Sequence, residues 1–365
     1  MTFLISAIAL LAIAIFVFLQ HPKFGKYPSG ERLLKIKQSP NYKNGSFQNL
    51  SHTPALTEGM SYWAVSKEFL FEKKPNMRPA QKIPSVKTDL LHLSEDKDIL
   101  VWFGHSSYFM QIDGKKMLVD PVFSGSVSPL PVGSKSFEGT DVYSTDDLPE
   151  IDFLFISHDH WDHLDYETIK KLRPKIKKVI CGLGVGAHLA HWGYTNEQII
   201  EKDWNEEIAL APNFRAHTVS ARHFSGRGLL RNRSLWVSYV LQTPTMQIFI
   251  GGDSGYDSHF MEIGKKFGTF DLVILENGQY DKKWRYIHLL PEEILEVAKQ
   301  LNAKRILPVH HSKFVLGNHA WSEPLELITQ HNETQNLHII TPMIGEQVRL
   351  HDHTQVFGKW WQSVV

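Results

Sequence analysis

IDFLFISHDHWDHLD, residues 151–165, is the stretch of sequence that decides the fold. Its first six residues are almost entirely apolar, a pattern typical of a β-strand buried on both faces. The remaining residues include four good metal-binding side chains within six consecutive positions: His158, His160, Asp162 and His163. Loops that follow buried strands are where α/β proteins place their functional sites. Because three histidines and a spaced aspartate rarely meet there by chance, the stretch predicts a metal site.

The same four side chains can serve two metal ions. In such a loop His158 and His160 can point one way while Asp162 and His163 point another, so one turn can supply two adjacent ions. Nitrogen and carboxylate ligands of this kind suit zinc. The chain has 20 histidines but a single cysteine, Cys181, which excludes an intrachain disulfide and a cysteine-rich zinc cluster.

Strands and helices are predicted on both sides of this loop. Asp113-Gly114 predicts a tight hairpin turn, and Asp165 predicts the start of a helix. The expected strands are 99–103, 108–112, 116–119, 151–156, 178–181, 214–219, 236–241, 247–250, 271–275 and 305–309, and the expected helices are 166–172, 185–192, 259–267 and 292–301. This irregular alternation indicates an α/β fold in which helices cover the sheets.

The pattern H-x-H-x-D-H after a buried strand resembles the signature of the metallo-β-lactamase fold hydrolases. The resemblance covers residues 102–349 and is most specific to the N-acylphosphatidylethanolamine-hydrolysing phospholipase D branch and its bacterial relatives. The stretches similar to that branch are WFGHS (102–106), LVDPVF (118–123), HDHWDHLD (158–165), GGDSGY (251–256), IGKKFG (263–268), FDL (270–272), GQY (278–280) with Trp284, His288 with PEE (291–293), and VH (309–310). The resemblance implies an αββα sandwich, two sheets flanked by helices, preceded here by a hydrophobic N-terminal helix.

The resemblance also implies the remaining metal ligands. The family's later ligands match His223, Asp253 and His310, each of which follows a predicted strand. Two zinc ions per chain are therefore expected. One would be held by His158, His160 and His223, the other by Asp162, His163 and His310, with Asp253 between them. His311 is an alternative to His310, but strand alternation points the two side chains in opposite directions, and the family pattern favours His310.

The implied reaction is hydrolysis of a phosphodiester by a hydroxide that two metal ions generate. The expected substrate is N-acyl-phosphatidylethanolamine or a related phospholipid, with phosphatidic acid and an N-acylethanolamine as products. The residues expected to take part in catalysis are Asp162, Asp253 and His288, although His288 could instead be an ordinary histidine at a helix entry. Asp120 and Asp165 could orient metal-binding imidazoles, or could act only as turn and cap residues.

Two other functions remain open on the sequence. Leu290 and Arg222 stand where the animal enzymes are expected to have an acidic residue and a glutamine. A lactonase or another ester or phosphodiester hydrolase acting on a small polar substrate is therefore an alternative.

The numbers of basic and acidic residues are equal, which gives a formal net charge of zero. This balance argues against a nuclease and against nucleic acid as a partner. A non-catalytic scaffold would be expected to have lost ligands, yet all seven positions are filled.

The chain is predicted to have four parts. Residues 1–20, with an uncharged apolar run over 3–19, predict a single-pass transmembrane anchor; a cleaved signal peptide is the alternative. Lysines and arginines after the run would place the catalytic domain on the cytoplasmic side of a membrane. Residues 21–95 are expected to form an irregular extension, 96–350 the hydrolase domain and 351–365 a C-terminal tail. A homodimer is a further expectation.

Overall fold

Two β-sheets form the body of the molecule in the computed structural model, which describes residues 2–72, 74–130 and 134–364. Met1 and Val365, at the ends of the predicted parts, lie outside these ranges. The strands are β1 (Tyr42–Lys43), β2 (Ser46–Phe47), β3 (Ile99–Trp102), β4 (Tyr108–Ile112), β5 (Lys115–Val119), β6 (Ile151–Ile156), β7 (Ile176–Gly182), β8 (Ile199–Lys202), β9 (Glu207–Ala211), β10 (Phe214–Val219), β11 (Ser238–Gln242), β12 (Gln247–Ile250), β13 (Leu272–Glu276), β14 (Ile306–Val309) and β15 (Gln347–Arg349). The helices are α1 (Thr2–Leu19), α2 (Gly30–Lys37), α3 (Tyr62–Phe71), α4 (Tyr166–Leu172), α5 (Gly186–His191), α6 (His259–Phe267), α7 (Ile294–Gln300) and α8 (Glu323–Asn332).

Both sheets are mixed. The first has seven strands in the order β15-β3-β4-β5-β6-β7-β8, and the second has six in the order β14-β13-β12-β11-β10-β9. Strands β5 to β8 run parallel to one another, as do β12 to β14, and the other neighbours are antiparallel. Asp113 and Gly114 both have positive φ, 48° and 71°, and they form the predicted hairpin turn between β4 and β5.

The side chains of β6 show how the layers are built. Phe153 and Phe155 pack between the two sheets, whereas Leu154 and Ile156 pack on the opposite face with residues of α4 and α5. This alternation is the two-residue period of a strand buried on both faces. Helices α6, α7 and α8 cover the outer face of the second sheet in the same way. The layers are therefore helix, sheet, sheet, helix, which confirms the predicted αββα sandwich.

The prediction of a transmembrane anchor over residues 1–20 is wrong. Across the described ranges of the chain, the structure contains no helix with both the length and the hydropathy that a membrane span requires. The predicted membrane attachment through this helix, and the cytoplasmic orientation inferred from it, are withdrawn with the anchor.

The segment 21–95 is more regular than its sequence suggested. It contains α2 and α3, and Ile36, Phe47 and Ile83 are fully buried in the core between the sheets. At the other end of the chain, Trp360 and Trp361 belong to the same core. Both ends of the sequence therefore pack on the sandwich, which matters because part of the N-terminal segment reaches the candidate site.

Candidate metal centre

The predicted site residues meet where strands of both sheets end. The loop 157–165 follows β6 in the first sheet, and His223, Asp253 and His310 follow β10, β12 and β14 in the second. Because β10, β12 and β14 run in the same direction, their carboxyl ends lie at one edge of the sheet. All seven side chains predicted from the sequence fall within groups whose donor atoms lie within 4.8 Å of one another.

The first group consists of three imidazoles. His158 Nε2 lies 2.8 Å from His160 Nδ1, and His223 Nε2 lies 3.2 Å from the same atom. Nitrogens bound to one tetrahedral zinc ion at about 2.0–2.1 Å would be about 3.3 Å apart, so the spacing is close to that of a metal site. Burial lowers the pKa of all three histidines, that of His160 to about 4. Neutral imidazoles present the lone pairs that a metal needs.

The second group contains Asp162, His163 and His310, together with His105, which the sequence had not suggested as a ligand. His105 Nε2 lies 2.8 Å from Asp162 Oδ2, and the Nε2 atoms of His310 and His163 lie 3.3 Å and 3.4 Å from the same oxygen. Burial would raise the pKa of Asp162, but the neighbouring histidines hold it well below its ordinary value. The carboxylate is thus ionised at neutral pH.

Asp253 lies between the two groups. Its Oδ2 atom is 3.2 Å from His163 Nε2, 3.3 Å from His310 Nε2, 3.7 Å from His223 Nε2 and 3.8 Å from His158 Nε2. One carboxylate therefore faces imidazoles of both groups, which is the position required of a bridging ligand. Gly252 precedes it with a φ of 60°, and a Cβ there would lie 2.7 Å from the Cβ of Ser157. Only glycine permits the chain to bring Asp253 this close to the histidine loop.

The unpaired atoms of the cluster fit a divalent cation. His163 Nε2 and Asp253 Oδ1 are buried without a hydrogen-bond partner among the described residues, an arrangement that is costly unless another group satisfies them. Burial would lower the pKa of His163, but Asp253 and Asp162 outweigh it and raise that pKa well above the ordinary value. The two carboxylates thus favour positive charge at this point, and zinc is one of the divalent ions that nitrogen and carboxylate donors bind.

Asp120 fixes the orientation of one of these histidines. Its Oδ2 atom lies 2.9 Å from His163 Nδ1, and its Oδ1 accepts a hydrogen bond of 2.8 Å from the Ser157 backbone N–H. This bond turns the other ring nitrogen of His163 towards Asp253. Asp165 behaves differently, since its Oδ2 accepts from the Ser124 N–H at 3.0 Å and from the Thr168 hydroxyl. Asp165 therefore anchors the loop and does not orient an imidazole.

His288 faces the cluster from a loop and is held by a buried glutamate. Its Nδ1 lies 2.5 Å from Glu276 Oε2, and its ring is stacked 5.2 Å from that of His310. Burial would lower the pKa of His288, but the Glu276 carboxylate outweighs it and raises that pKa to about 9. The pairing with Glu276 therefore favours the protonated form of His288. Glu276 also accepts hydrogen bonds from the backbone N–H groups of Ser254 and Leu289, at 2.9 Å and 3.0 Å.

His311 points away from the cluster, and two neighbouring histidines, His310 and His105, have a strained backbone. His311 points away, with Nδ1 2.7 Å from Ser312 Oγ and Nε2 3.2 Å from the Pro308 carbonyl, so His310 is the histidine that joins the cluster. His310 and His105 both have positive φ, 67° and 53°. Such backbone conformations cost free energy in residues other than glycine, and they concentrate at functional sites.

A cavity of about 310 Å³ opens onto the cluster, and His160, Asp162, Asp253 and His288 line it. Part of its wall comes from the N-terminal segment, through Leu56 and Tyr62 among other residues. The same segment also supports a predicted ligand: the Asn49 side chain accepts a hydrogen bond of 3.1 Å from the His223 N–H and donates one of 2.7 Å to its carbonyl. The segment is therefore part of the site.

Comparison with known proteins identifies close parallels. The profile of the β-lactamase superfamily domain matches residues 115–311. A Mycobacterium tuberculosis protein described only as uncharacterised is 34% identical over 336 residues, 89% of this chain and 88% of the relative. The N-acyl-phosphatidylethanolamine-hydrolysing phospholipase D 1 of Caenorhabditis elegans is 28% identical over 337 residues, 86% of this chain and 92% of the relative. Among solved structures, the metallo-hydrolase Igni18 of Ignicoccus hospitalis superposes with a TM-score of 0.53 at 18% identity, over 69% of this chain and 97% of that one.

Proposed function

The chain belongs to the β-lactamase superfamily of metallo-hydrolases, and from that premise we propose that it is a dinuclear zinc phosphodiesterase. Its proposed substrate is N-acyl-phosphatidylethanolamine or a related phospholipid, cleaved to phosphatidic acid and an N-acylethanolamine. The observation that carries the dinuclear proposal is the position of Asp253, whose Oδ2 lies within 3.2–3.8 Å of imidazoles from both donor groups.

The proposed ligand sets follow the two groups. His158, His160 and His223 would hold one ion; Asp162, His163 and His310 would hold the other, and Asp253 would contact both. Two bound divalent ions supply a hydroxide nucleophile near neutral pH and stabilise negative charge on a phosphoryl oxygen. The chain's own contribution is to hold the ligands in place before substrate arrives, with Asp120 fixing His163 at 2.9 Å and His105 fixing Asp162 at 2.8 Å.

His288 has the proposed role of proton donor and phosphate contact. It lines the cavity over the cluster, and its bond to Glu276 keeps Nδ1 occupied, so that Nε2 is the nitrogen left to face a ligand. A protonated imidazole at that place can hydrogen-bond a phosphoryl oxygen and can donate a proton to the departing alkoxide. Glu276 acts through His288: it positions the ring and stabilises its charged form.

A lipid substrate is supported by the relative from C. elegans and by the composition of the cavity wall. The cavity over the cluster is lined by apolar side chains as well as by the polar cluster, including Leu56, Tyr62, Val65, Trp284 and Leu316. Arg231, an exposed residue, lies at the same cavity with its guanidinium 4.9 Å from the Phe224 ring centroid. A guanidinium beside an apolar wall suits a substrate that has both a phosphate and a hydrocarbon chain.

Hydrolysis in water enriched in oxygen-18 tests the proposal. Purified enzyme loaded with zinc is incubated with N-acyl-phosphatidylethanolamine, and the products are examined by mass spectrometry. We expect the label in the phosphate of phosphatidic acid, because water attacks phosphorus. Label in a carboxylate product, or hydrolysis of lactones with no hydrolysis of any phosphodiester, would instead support an esterase or lactonase on the same scaffold.

A further inference from the structure

A second cavity, of about 570 Å³, lies beside the metal cluster, between the metal-binding loop and the N-terminal segment. It shares His160 and Asp162 with the cavity over the cluster, so the two spaces meet at the metal-binding loop. Its outer wall is apolar and includes Phe18, Leu19 and Phe24. We call this second cavity the N-terminal groove. The groove therefore leads away from the metal cluster along an apolar surface.

The N-terminal wall of the groove is fixed by hydrogen bonds. The indole N–H of Trp192 donates to the Pro22 carbonyl at 2.8 Å, and the Arg227 guanidinium donates to the Lys23 carbonyl at 2.9 Å. Arg227 also donates to the carbonyls of Asp159 and Leu164, on the metal-binding loop, at 3.0 Å and 2.6 Å. One buried guanidinium therefore ties the N-terminal segment directly to the loop that holds the proposed ligands.

The next turn of the segment is held as firmly. The Lys26 N–H donates to His188 Nδ1 at 3.0 Å, and His188 Nε2 lies 3.1 Å from Asp159 Oδ2. Gly25 has a φ of 73°, and a Cβ there would come within 1.9 Å of His188 Nδ1. The close approach therefore requires glycine. Residues 22–26 form a built wall of the groove, and they are not a loose linker.

Aromatic side chains connect the N-terminal wall of the groove to the metal-binding loop. The ring of Phe24 lies edge-on to that of Trp161, with centroids 5.3 Å apart, and Phe18 lies edge-on to Phe24 at 5.2 Å. Trp161 stands between His160 and Asp162 in the sequence, and the guanidinium of Arg227 lies 4.0 Å from its ring centroid. An apolar surface thus begins beside the proposed ligands and continues to the end of α1.

We propose that the N-terminal groove binds an acyl chain of the substrate while the phosphate lies over the metal cluster. The inference rests on the proposed function, which places a phosphate there, and it adds that residues 18–24 contribute to substrate binding. Arg231 lines both cavities, so its positive charge stands where an anionic centre would join a hydrocarbon chain. A hydrocarbon chain gains binding free energy by covering the apolar surface of the groove, whereas a small polar substrate does not.

Calorimetric titration with alkylphosphonates tests this inference without requiring turnover. Ethylphosphonate and dodecylphosphonate share one anionic head group, and the second is used below its critical micelle concentration. One buried methylene strengthens binding by up to about fourfold. If about four methylenes enter the groove, dodecylphosphonate should bind the zinc-loaded protein up to about 250-fold more tightly than ethylphosphonate. Equal affinities would overturn the proposal.

Two variants locate the effect. Gly228 lines the groove, and a Cβ there would meet only the Tyr27 hydroxyl at 3.4 Å and Phe24 Cδ1 at 3.9 Å. Gly228→Phe should therefore fill the groove without backbone strain and reduce the chain-length preference at least about tenfold. Phe16→Ala is the matched control: Phe16 is on α1, 64% exposed, outside the groove, and its loss should leave the preference unchanged.

The outcomes separate the groove from the reaction. A chain-length preference that Gly228→Phe removes supports the groove, even if no phosphodiester proves to be hydrolysed; that combination would refute only the proposed function. Phosphodiester hydrolysis without a chain-length preference would refute only the groove. If the chain-length preference persists in Gly228→Phe, or if Phe16→Ala abolishes it, the alkyl chain binds outside the groove and the proposal is overturned.

Discussion

Replacing Asp253 with asparagine removes one negative charge and changes the shape of the side chain very little. Oδ2 of Asp253 lies 3.2–3.8 Å from nitrogens of both donor groups, so the carboxylate would stand within about 4 Å of either metal ion. Two unit charges at that distance interact by about 4 kcal/mol at an effective dielectric constant of about 20. A loss of about 4 kcal/mol in the transition state corresponds to a roughly 1000-fold lower kcat/KM.

The assay is hydrolysis of bis(p-nitrophenyl) phosphate at saturating zinc, with circular dichroism to confirm that the variant is folded. Asp257→Asn is the matched control, because Asp257 is close in sequence but its carboxylate lies 3.8 Å from Arg222 Nε and outside the cluster. We expect this control to retain activity within about twofold. A loss of tenfold or less in Asp253→Asn, about 1.4 kcal/mol, would refute the bridging role.

Two further substitutions test residues around the ligands. His105→Ala should weaken binding of one zinc ion about 10- to 100-fold, because Asp162 loses a 2.8 Å hydrogen bond; a chelator competition titration measures this, with exposed His351→Ala as control, and unchanged affinity would remove His105 from the site. His288→Gln should lower kcat about 100-fold for an alkyl leaving group but much less for p-nitrophenolate, which needs no proton. Equal losses on the two substrates would contradict proton donation by His288.

The centre of the fold could be predicted from the sequence because its signal is local. The apolar run of β6, Ile151–Ile156, has the same bounds in the structure as in the prediction, and so does α4, which begins after Asp165. Strands β10 and β12 and helix α6 also match. Each of these elements has a continuous or periodic apolar pattern bounded by polar residues, so its limits can be read without tertiary information.

The helices of the N-terminal segment were not predicted because its structure depends on distant contacts. Helix α2 has only eight residues, and just one of them, Ile36, is buried, so its stability depends on contacts with the rest of the chain. Its Arg32 side chain pairs with Glu201, far along the chain. The anchor over residues 1–20 was inferred from the length and hydropathy of an uncharged apolar run, whereas the described residues of the structure contain no helix that meets both requirements of a membrane span.

Most of the candidate site could be located, but its supporting residues could not. Seven side chains were identified from the histidine motif and the family resemblance, and the structure brings them together. His105 and Glu276 were missed because neither residue has a spacing from other polar residues that indicates a ligand. Glu276 did offer one signal: it is an acidic residue at the end of the apolar strand β13, and it is only 2% exposed. A buried carboxylate of that kind requires a partner.

The metal content of the purified protein tests the central claim most directly. Inductively coupled plasma mass spectrometry on protein freed of loosely bound ions should find about two zinc ions per chain, since each proposed ligand set has three residues of its own and shares Asp253 with the other. In His160→Ala and His310→Ala the ratio should fall to about one, because each substitution removes a ligand from only one group. A stably folded, fully active protein without bound transition metal would contradict the account.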